Sequence, residues 1–324
     1  MTHYVPGYVK LYKQGKLLTR AKQLSRLFAP CRLCPWNCRV DRKKGETGRC
    51  GAGQSIRVSK ATAHFGEEPA ISGTAGSGTV FFSFCNLKCC FCQNYQISQQ
   101  GLGAEVSVEE LARKMLALQR AGCHNINLVS PTHYLPGIVT ALNLAAGEGL
   151  LLPLVYNTNG YEAVGVLRLL EGIVDVYLPD AKYADDTMAM RYSSAQHYSA
   201  VNLPALQEMF RQVGYLLTDS RGIAQRGLLV RHLVLPGGLS GTRHILTNLK
   251  TLFGRLLSVS LMGQYAPCHE AHRVQELCSR TPRHEYEQAI EALEALGFEN
   301  GWIQDVGLLD ESYIPDFRKK DSWN

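Results

Sequence analysis

The sequence predicts an α/β domain built on a parallel sheet. Three observations predict it. From residue 79 onward, short apolar segments alternate with segments of helical period. The alternation repeats about six or seven times, fewer than the eight of a closed TIM barrel, which fits an open, partial barrel. An apolar share of 45% with 19% charged residues suits a buried core and excludes a disordered chain. No apolar run approaches the roughly 18 residues of a membrane span.

Each element has its own signal. Residues 1–75 are rich in Gly, Lys, Arg and Cys and show no long periodic pattern, so they are expected to form a basic, Cys-rich N-terminal segment. An α/β core is expected over 76–310 and a tail over 311–324. Residues 79–84 (TVFFSF) are β-branched and aromatic, a short buried strand. Ser107-Val-Glu-Glu110 is a capping box. It opens a helix whose apolar positions Val108, Leu111, Ala112, Met115 and Leu118 keep helical period. Strands are expected at 125–129, 153–156, 173–178, 227–235, 257–262 and 301–305. Helices are expected over 135–148, 161–171, 200–214, 243–253 and 282–296.

Charge and cysteine are unevenly spread. The net charge is +6, yet residues 1–49 hold twelve Lys/Arg and two acids, a local +10 that leaves −4 for the rest. Such a segment suits nucleic acid or an acidic partner, and equally a solvated basic face. The N-terminus, Met1 to Pro6, has no apolar signal core, so a cytoplasmic location is expected. Eleven cysteines in such a chain point to metal or redox chemistry before disulfides. Eight of them fall between Cys31 and Cys92.

Two clusters carry the chemistry. Cys85-Asn-Leu-Lys-Cys89-Cys90-Phe91-Cys92 is a C-x3-C-x2-C run directly after the first expected strand. Three thiolates so spaced can wrap one corner of a [4Fe–4S] cube and leave one iron open to a non-protein ligand. Zinc competes, but structural zinc normally closes a set of four. Cys90 is read as a bystander, because adjacent residues of an extended loop point apart. Upstream, Cys31-x2-Cys34-x3-Cys38-x11-Cys50 gives four thiols in twenty residues. That spacing suits tetrahedral zinc and equally a second [4Fe–4S] cluster. Pro35, Gly48, Gly51 and Gly53 let the backbone turn around a metal.

The C-x3-C-x2-C loop, with Phe91 before its last cysteine and a strand before its first, resembles the signature of radical S-adenosylmethionine (SAM) enzymes. The wider chain is similar to an uncharacterised group related to pyruvate formate-lyase activating enzyme. The resemblance lies in Cys31-Arg-Leu-Cys-Pro-Trp-Asn-Cys38, Gly45-Glu-Thr-Gly-Arg-Cys50-Gly, Asn127-Leu-Val-Ser-Pro-Thr-His133-Tyr and Tyr156-Asn-Thr-Asn-Gly160-Tyr. It continues through Asp175-Val-Tyr-Leu-Pro-Asp180-Ala-Lys182-Tyr, Leu229-Val-Arg-His232-Leu-Val-Leu-Pro-Gly237 and Leu261-Met-Gly-Gln-Tyr-Ala-Pro267.

The resemblance implies a partial (β/α)6 barrel with a Cys-rich N-terminal extension and a [4Fe–4S] cluster at the C-terminal mouth of the strands. Cys85, Cys89 and Cys92 would hold the cluster, and SAM would chelate its open iron. One electron would cleave SAM to a 5′-deoxyadenosyl radical that takes hydrogen from a substrate, the chemistry of a radical SAM oxidoreductase. An activating enzyme further implies flavodoxin or ferredoxin as electron donor and a glycyl-radical enzyme as partner. The alternatives are a radical SAM enzyme acting on a small molecule, RNA or another protein, and a metal-binding protein without catalysis.

The same resemblance nominates SAM-contacting residues. Family members often carry Gly-Gly-Glu-Pro after the second strand; this chain has Ser130-Pro-Thr-His133, leaving Thr132 or backbone carbonyls for the methionyl amine. Asn157 and Asn159 offer amides to the ribose or carboxylate, although Asn159-Gly160 also reads as a turn. Asp180 and Lys182, at i and i+2, share a side if the chain stays extended; the alternative is a surface ion pair. Arg231 is a partner for the SAM carboxylate, while the adjacent His232 reads as a core histidine. Gln264 and Tyr265 follow the sixth strand and stand toward the substrate end, Tyr265 equally as packing. No residue is assigned to the hydrogen-abstraction step itself.

Overall fold

The computed structural model describes residues 4–305 and 315–319. Of the tail expected over 311–324, only 315–319 lie within the described residues. The strands are β1 (Ile56–His64), β2 (Ser77–Phe82), β3 (Ala104–Val106), β4 (Ile126–Val129), β5 (Leu154–Thr158), β6 (Val176–Pro179), β7 (Leu217–Thr218), β8 (Ala224–Leu233), β9 (Ser258–Met262) and β10 (Asn300–Ile303).

They form one sheet in the order β10-β9-β8-β6-β5-β4-β2-β1-β3, with β7 paired to β8. Every neighbouring pair from β2 to β10 is parallel. Strands β1 and β3 add an antiparallel edge beside β2. Seven parallel strands laid down in chain order, with helices between most of them, give the mixed α/β partial barrel expected from the alternation. Because these strands run the same way, the residues that follow them emerge at one end: Cys85, Ser130, Asn159 and Asp180 among them.

The period-2 alternation of side chains divides the core in two. Val80, Phe82, Leu128, Tyr156, Leu228 and Val230 belong to the main apolar cluster, together with the helices. Val155, Val176, Leu178 and Leu229 form a second cluster around Ala70 and Ile71. These last two sit on the short helix Pro69–Ser72, in the connection between β1 and β2. That connection lies at the N-terminal end of the parallel strands, since β1 runs antiparallel to β2 and His64 pairs with Ser77.

The helices expected from periodicity form at Val108–Arg120, Leu135–Gly147, Val164–Leu169, Tyr198–Val213, Thr242–Phe253 and Arg283–Ala295. The capping box is complete: the Ser107 hydroxyl accepts from the Glu110 N–H, and the Glu110 carboxylate accepts from the Ser107 N–H. A further helix, Asp186–Ser193, is capped by Asp185, whose carboxylate accepts from the N–H groups of Thr187 and Met188.

The N-terminal segment departs from its reading. It contains two helices, Gly7–Lys13 and Lys16–Ser25, as well as β1. Leu17, Ala21 and Leu24 recur at i, i+4 and i+7, a narrow stripe set among charged neighbours. They are buried in the main cluster together with Ile138, Leu142 and Ala145 of the helix Leu135–Gly147. The segment thus shares its core with the barrel.

Buried Asp175, just before β6, ties this segment to the sheet. Its Oδ1 accepts from the Tyr4 hydroxyl at 2.6 Å and from the Gly7 N–H at 2.9 Å, and its Oδ2 accepts from the Leu154 N–H at 2.8 Å. Burial raises its pKa to about 6 against the lowering by these donors. Asp175→Ala leaves three donors without an acceptor. We expect a loss of about 3 kcal/mol in urea unfolding, against about 1 kcal/mol for Tyr4→Phe. Equal losses from the two variants would contradict this anchoring role.

Candidate metal and cofactor site

The loop Cys85–Cys92 leaves β2 through Phe84, whose φ of 72° turns the chain out of the strand. Backbone bonds fix its course. The Phe84 N–H donates to the Ile97 carbonyl at 2.8 Å, the Lys88 N–H to Ser193 at 3.0 Å and the Cys90 N–H to Tyr192 at 2.8 Å. Leu87 and Phe91 anchor it by burial in an aromatic cluster with Tyr161, Tyr183, Tyr192, Tyr198 and Tyr265. The Phe91 ring meets Tyr265 edge to face at 5.8 Å, which accounts for an aromatic residue before the last cysteine. Tyr265 is therefore packing, its hydroxyl donating to the Leu277 carbonyl at 2.7 Å.

Each of the three spaced thiols has its own polar neighbour. Asn159 Nδ2 donates to Cys85 Sγ at 3.2 Å. The Ser193 hydroxyl donates to Cys89 Sγ at 2.9 Å. Cys92 Sγ and Ser98 Oγ are hydrogen-bonded at 3.2 Å. Burial pushes the Cys89 thiol up to about 12 and the Cys92 thiol up to about 11, while these hydroxyls pull the other way. Electrostatic repulsion from Cys92 and Cys85 also raises Cys89, and repulsion from Cys85 raises Cys92.

Among the described residues no three His, Cys, Asp or Glu side chains converge as they would around a single metal ion. A [4Fe–4S] cube takes each thiolate on a different iron, so it does not require that convergence. Three neighbouring thiols, each with a separate hydrogen-bond donor, fit the donor set of such a cube, in which hydrogen bonds to sulfur tune the cluster.

Asp180 and Lys182 follow β6, and their side chains meet at 2.5 Å with 20% and 18% exposure. They are thus a largely enclosed pair. Burial works against the Lys182 charge, but Asp180 and then Cys89 outweigh it and hold the ammonium well above its ordinary pKa. The Tyr198 hydroxyl binds the carbonyls of Asn159 and Asp180 at 2.9 and 3.1 Å and accepts from the Lys182 N–H at 3.1 Å. One buried tyrosine thus ties together the turns after β5 and β6.

Other candidates are engaged elsewhere. Asn159 serves the cysteine loop: besides Cys85, it donates to Asn86 Oδ1 at 2.7 Å, and its own Oδ1 accepts from the Tyr161 N–H at 2.9 Å. Thr132 is buried; its hydroxyl donates to Glu162 at 2.6 Å and accepts from the Tyr156 hydroxyl at 3.2 Å, so it does not offer itself to a ligand amine. Arg231 is not held open for a carboxylate. Its guanidinium pairs with Glu67 and, at 2.7 and 2.8 Å, with both oxygens of Glu68, and it donates weakly to Asn157 Oδ1 at 3.4 Å. Two carboxylates from the β1–β2 connection already occupy it, and a third would add uncompensated charge. Asn157 also reaches Glu67, at 3.4 Å. His232 is a core histidine: burial lowers its pKa to about 4, and its ring nitrogens bond Ala181 O at 2.6 Å and Thr242 Oγ1 at 2.9 Å. Gln264 accepts from Gln304 at 2.8 Å.

Sequence reasoning passed over Glu67 and Glu68, whose signal was two adjacent acids before Pro69 in a segment without a long periodic pattern. It also passed over Ser98, Ser193 and Tyr198, lone residues that no spacing marks. The four N-terminal cysteines lie in the segment beside the loop, where Trp36 Nε1 donates to the Asn86 carbonyl at 2.7 Å. Burial pushes the thiols of Cys34 and Cys50 up.

Among the described residues no helix is long and apolar enough to cross a membrane. Comparison with known proteins gives several likenesses. The chain is 29% identical over 294 residues to an uncharacterised protein of Methanocaldococcus jannaschii, covering 87% of this chain and 80% of that protein. It is similar in structure to the FeFe-hydrogenase maturase HydG of Carboxydothermus hydrogenoformans (TM-score 0.46, 16% identity, 68% of this chain and 50% of that one). It is also similar to methylornithine synthase (TM-score 0.46, 17% identity, 68% of this chain and 60% of that one). The chain thus spans about half to three-fifths of the length of those two structures. The family model of the radical SAM superfamily matches residues 79–212, from within β2 to the penultimate residue of the helix Tyr198–Val213. Residues 79–212 of the chain are thus similar to radical SAM superfamily domains.

Proposed function

We propose that the protein is a radical SAM enzyme of the activating-enzyme type, which reductively cleaves SAM and passes a radical to a glycyl-radical partner enzyme. The observation that carries the radical SAM part is the Cys85–Cys92 loop at the C-terminal end of a parallel run, with a separate hydrogen-bond donor at each of three thiols. The activating-enzyme part rests on the motif resemblance running from residue 31 to 267.

Once bound, a [4Fe–4S] cluster and SAM supply one-electron cleavage of a sulfonium C–S bond, the radical chemistry of the cofactor. The chain's own residues hold and tune. Cys85, Cys89 and Cys92 are the cluster ligands in this reading. Asn159, Ser193 and Ser98 stabilise negative charge on their sulfurs. Lys182, kept cationic by Asp180, provides a fixed positive charge beside Cys89 that suits an anionic group of SAM. Arg231, by contrast, organises the interior and leaves ligand binding to others. A low-potential flavodoxin or ferredoxin would supply the electron.

Three outcomes test this reading. The anaerobically reconstituted, reduced protein should convert SAM to methionine and 5′-deoxyadenosine, and Cys85→Ala should abolish the conversion while circular dichroism stays unchanged. Activity retained by Cys85→Ala would remove the cluster assignment. A glycyl radical seen by electron paramagnetic resonance, on adding a candidate partner, separates the activase from an enzyme acting on small molecules or RNA.

Ser193→Ala should make the cluster harder to reduce, lowering its potential by on the order of tens of millivolts, because a lost hydrogen bond to sulfur disfavours the more negative reduced state. A potentiometric titration showing no shift, or a rise, would contradict the tuning role. Arg231→Met should strand two buried carboxylates and cost about 4 kcal/mol in chemical denaturation. If it instead weakens SAM binding at unchanged stability, Arg231 is a ligand contact after all.

A further inference from the structure

The four cysteines between residues 31 and 50 are unused by the function proposed above, yet backbone contacts bring the two limbs that carry them together. The Cys31 N–H donates to the Val40 carbonyl at 2.9 Å and the Arg39 N–H to the Cys31 carbonyl at 3.0 Å, closing the ends of the turn. Inside it, the Asn37 N–H donates to the Cys34 carbonyl at 3.1 Å. Cys38 stands between Asn37 and Arg39, which take left-handed φ values of 45° and 60°. Non-glycine residues adopt that region at a cost, so two of them flanking one cysteine mark a constrained position.

A second limb, residues 48–52, lies across the first. A Cβ on Gly48 would stand 3.0 Å from Cys38 Sγ, so glycine lets the backbone approach the sulfur without crowding it. The Arg49 N–H points at Cys38 Sγ at 3.4 Å, and the Ala52 N–H at Cys50 Sγ at 3.5 Å. Backbone N–H groups aimed at sulfur favour the thiolate, which is the metal-binding form. These contacts set the Cys38 sulfur against the limb that carries Cys50. The buried Arg42 guanidinium stands near Cys50 and provides a compensating charge.

The segment meets the Cys85–Cys92 loop at one point and its surroundings at two more. Trp36 Nε1 holds the Asn86 carbonyl at 2.7 Å. Gly51 lies against Phe84, where a Cβ would meet the ring at 3.2 Å. The Arg49 guanidinium covers the Trp36 ring at 4.4 Å and reaches the Ser194 carbonyl at 3.4 Å, one residue from the serine that binds Cys89. A metal centre would fix such a segment further, because its binding energy doubles as folding energy.

We propose that Cys31, Cys34, Cys38 and Cys50 hold a second metal centre of tetrathiolate type, zinc or iron–sulfur, which locks residues 31–52 against the Cys85–Cys92 loop. The proposal rests on the radical SAM reading only for the identity of the loop it braces. Among the described residues no three of these sulfurs converge as around one ion, so a single zinc ion would have to draw them together, whereas a cube takes each thiolate on a different iron.

The test compares three anaerobically purified proteins by metal and acid-labile sulfide content, with circular dichroism as the control for folding. They are the natural chain, the triple variant Cys85→Ala/Cys89→Ala/Cys92→Ala, and the double variant Cys31→Ala/Cys34→Ala. The triple variant should keep about one zinc, or about four irons with matching sulfide, per chain. Zinc identifies a structural ion and iron with sulfide a second cluster; both support the site. The double variant should lose that complement and keep the iron of the loop. A folded triple variant without metal, or a double variant with the full metal content of the natural chain, overturns the proposal. Should the double variant not fold, the triple variant decides alone. A natural chain that cleaves no SAM while the triple variant keeps its metal defeats the radical SAM reading and leaves this second site standing.

Discussion

Burying thiols is the constraint on which the mouth of this barrel depends. Cys89 and Cys92 are half-buried, and burial raises their thiol pKa above that of an exposed cysteine. A metal ligand must be a thiolate, so the surroundings have to offset the desolvation of negative charge. The fold meets that demand from four directions. Ser98 comes from the turn after the loop, Asn159 from the end of β5, Lys182 from the end of β6, and Ser193 from the last turn of the helix Asp186–Ser193. None of these groups is near the others in sequence. They meet because parallel strands release their chains at one end of the sheet.

The same requirement explains how firmly the loop is held. Phe91 and Leu87 sink into the aromatic cluster, and two backbone bonds run to Tyr192 and Ser193. A hydroxyl stabilises a sulfur only if both keep their places to within a fraction of an ångström. The anchoring of the backbone and the hydrogen bonding of the thiols are thus parts of one device. Tyr198 extends it to Asp180 and Lys182, so that the ion pair is fixed by the fold before any ligand arrives.

Much of this was legible in the sequence, for reasons that differ by element. The parallel strands are apolar on both faces, and their helices carry wide apolar stripes, so periodicity finds them. The helix Lys16–Ser25 was missed because Leu17, Ala21 and Leu24 are interspersed with Lys and Arg. Strand β1 was missed because it is mostly half-buried and shows no clean alternation. At the site, spacing revealed the cysteines and placed Asp180 and Lys182 on one side. It could not reveal that Arg231 belongs to Glu67 and Glu68, some 163 residues earlier. Nor could it show that Thr132 is consumed by a buried carboxyl, Glu162, which burial raises to about 7. Long-range pairings of single polar residues leave no periodic trace.

The connection between β1 and β2 has one more consequence. Ala70 and Ile71 fill the N-terminal end of the sheet's inner face, and Glu67 and Glu68 grip Arg231 above them. One short stretch of chain thus supplies both the apolar packing of this cluster and the charge balance of Arg231, so a change of backbone there would disturb the two together.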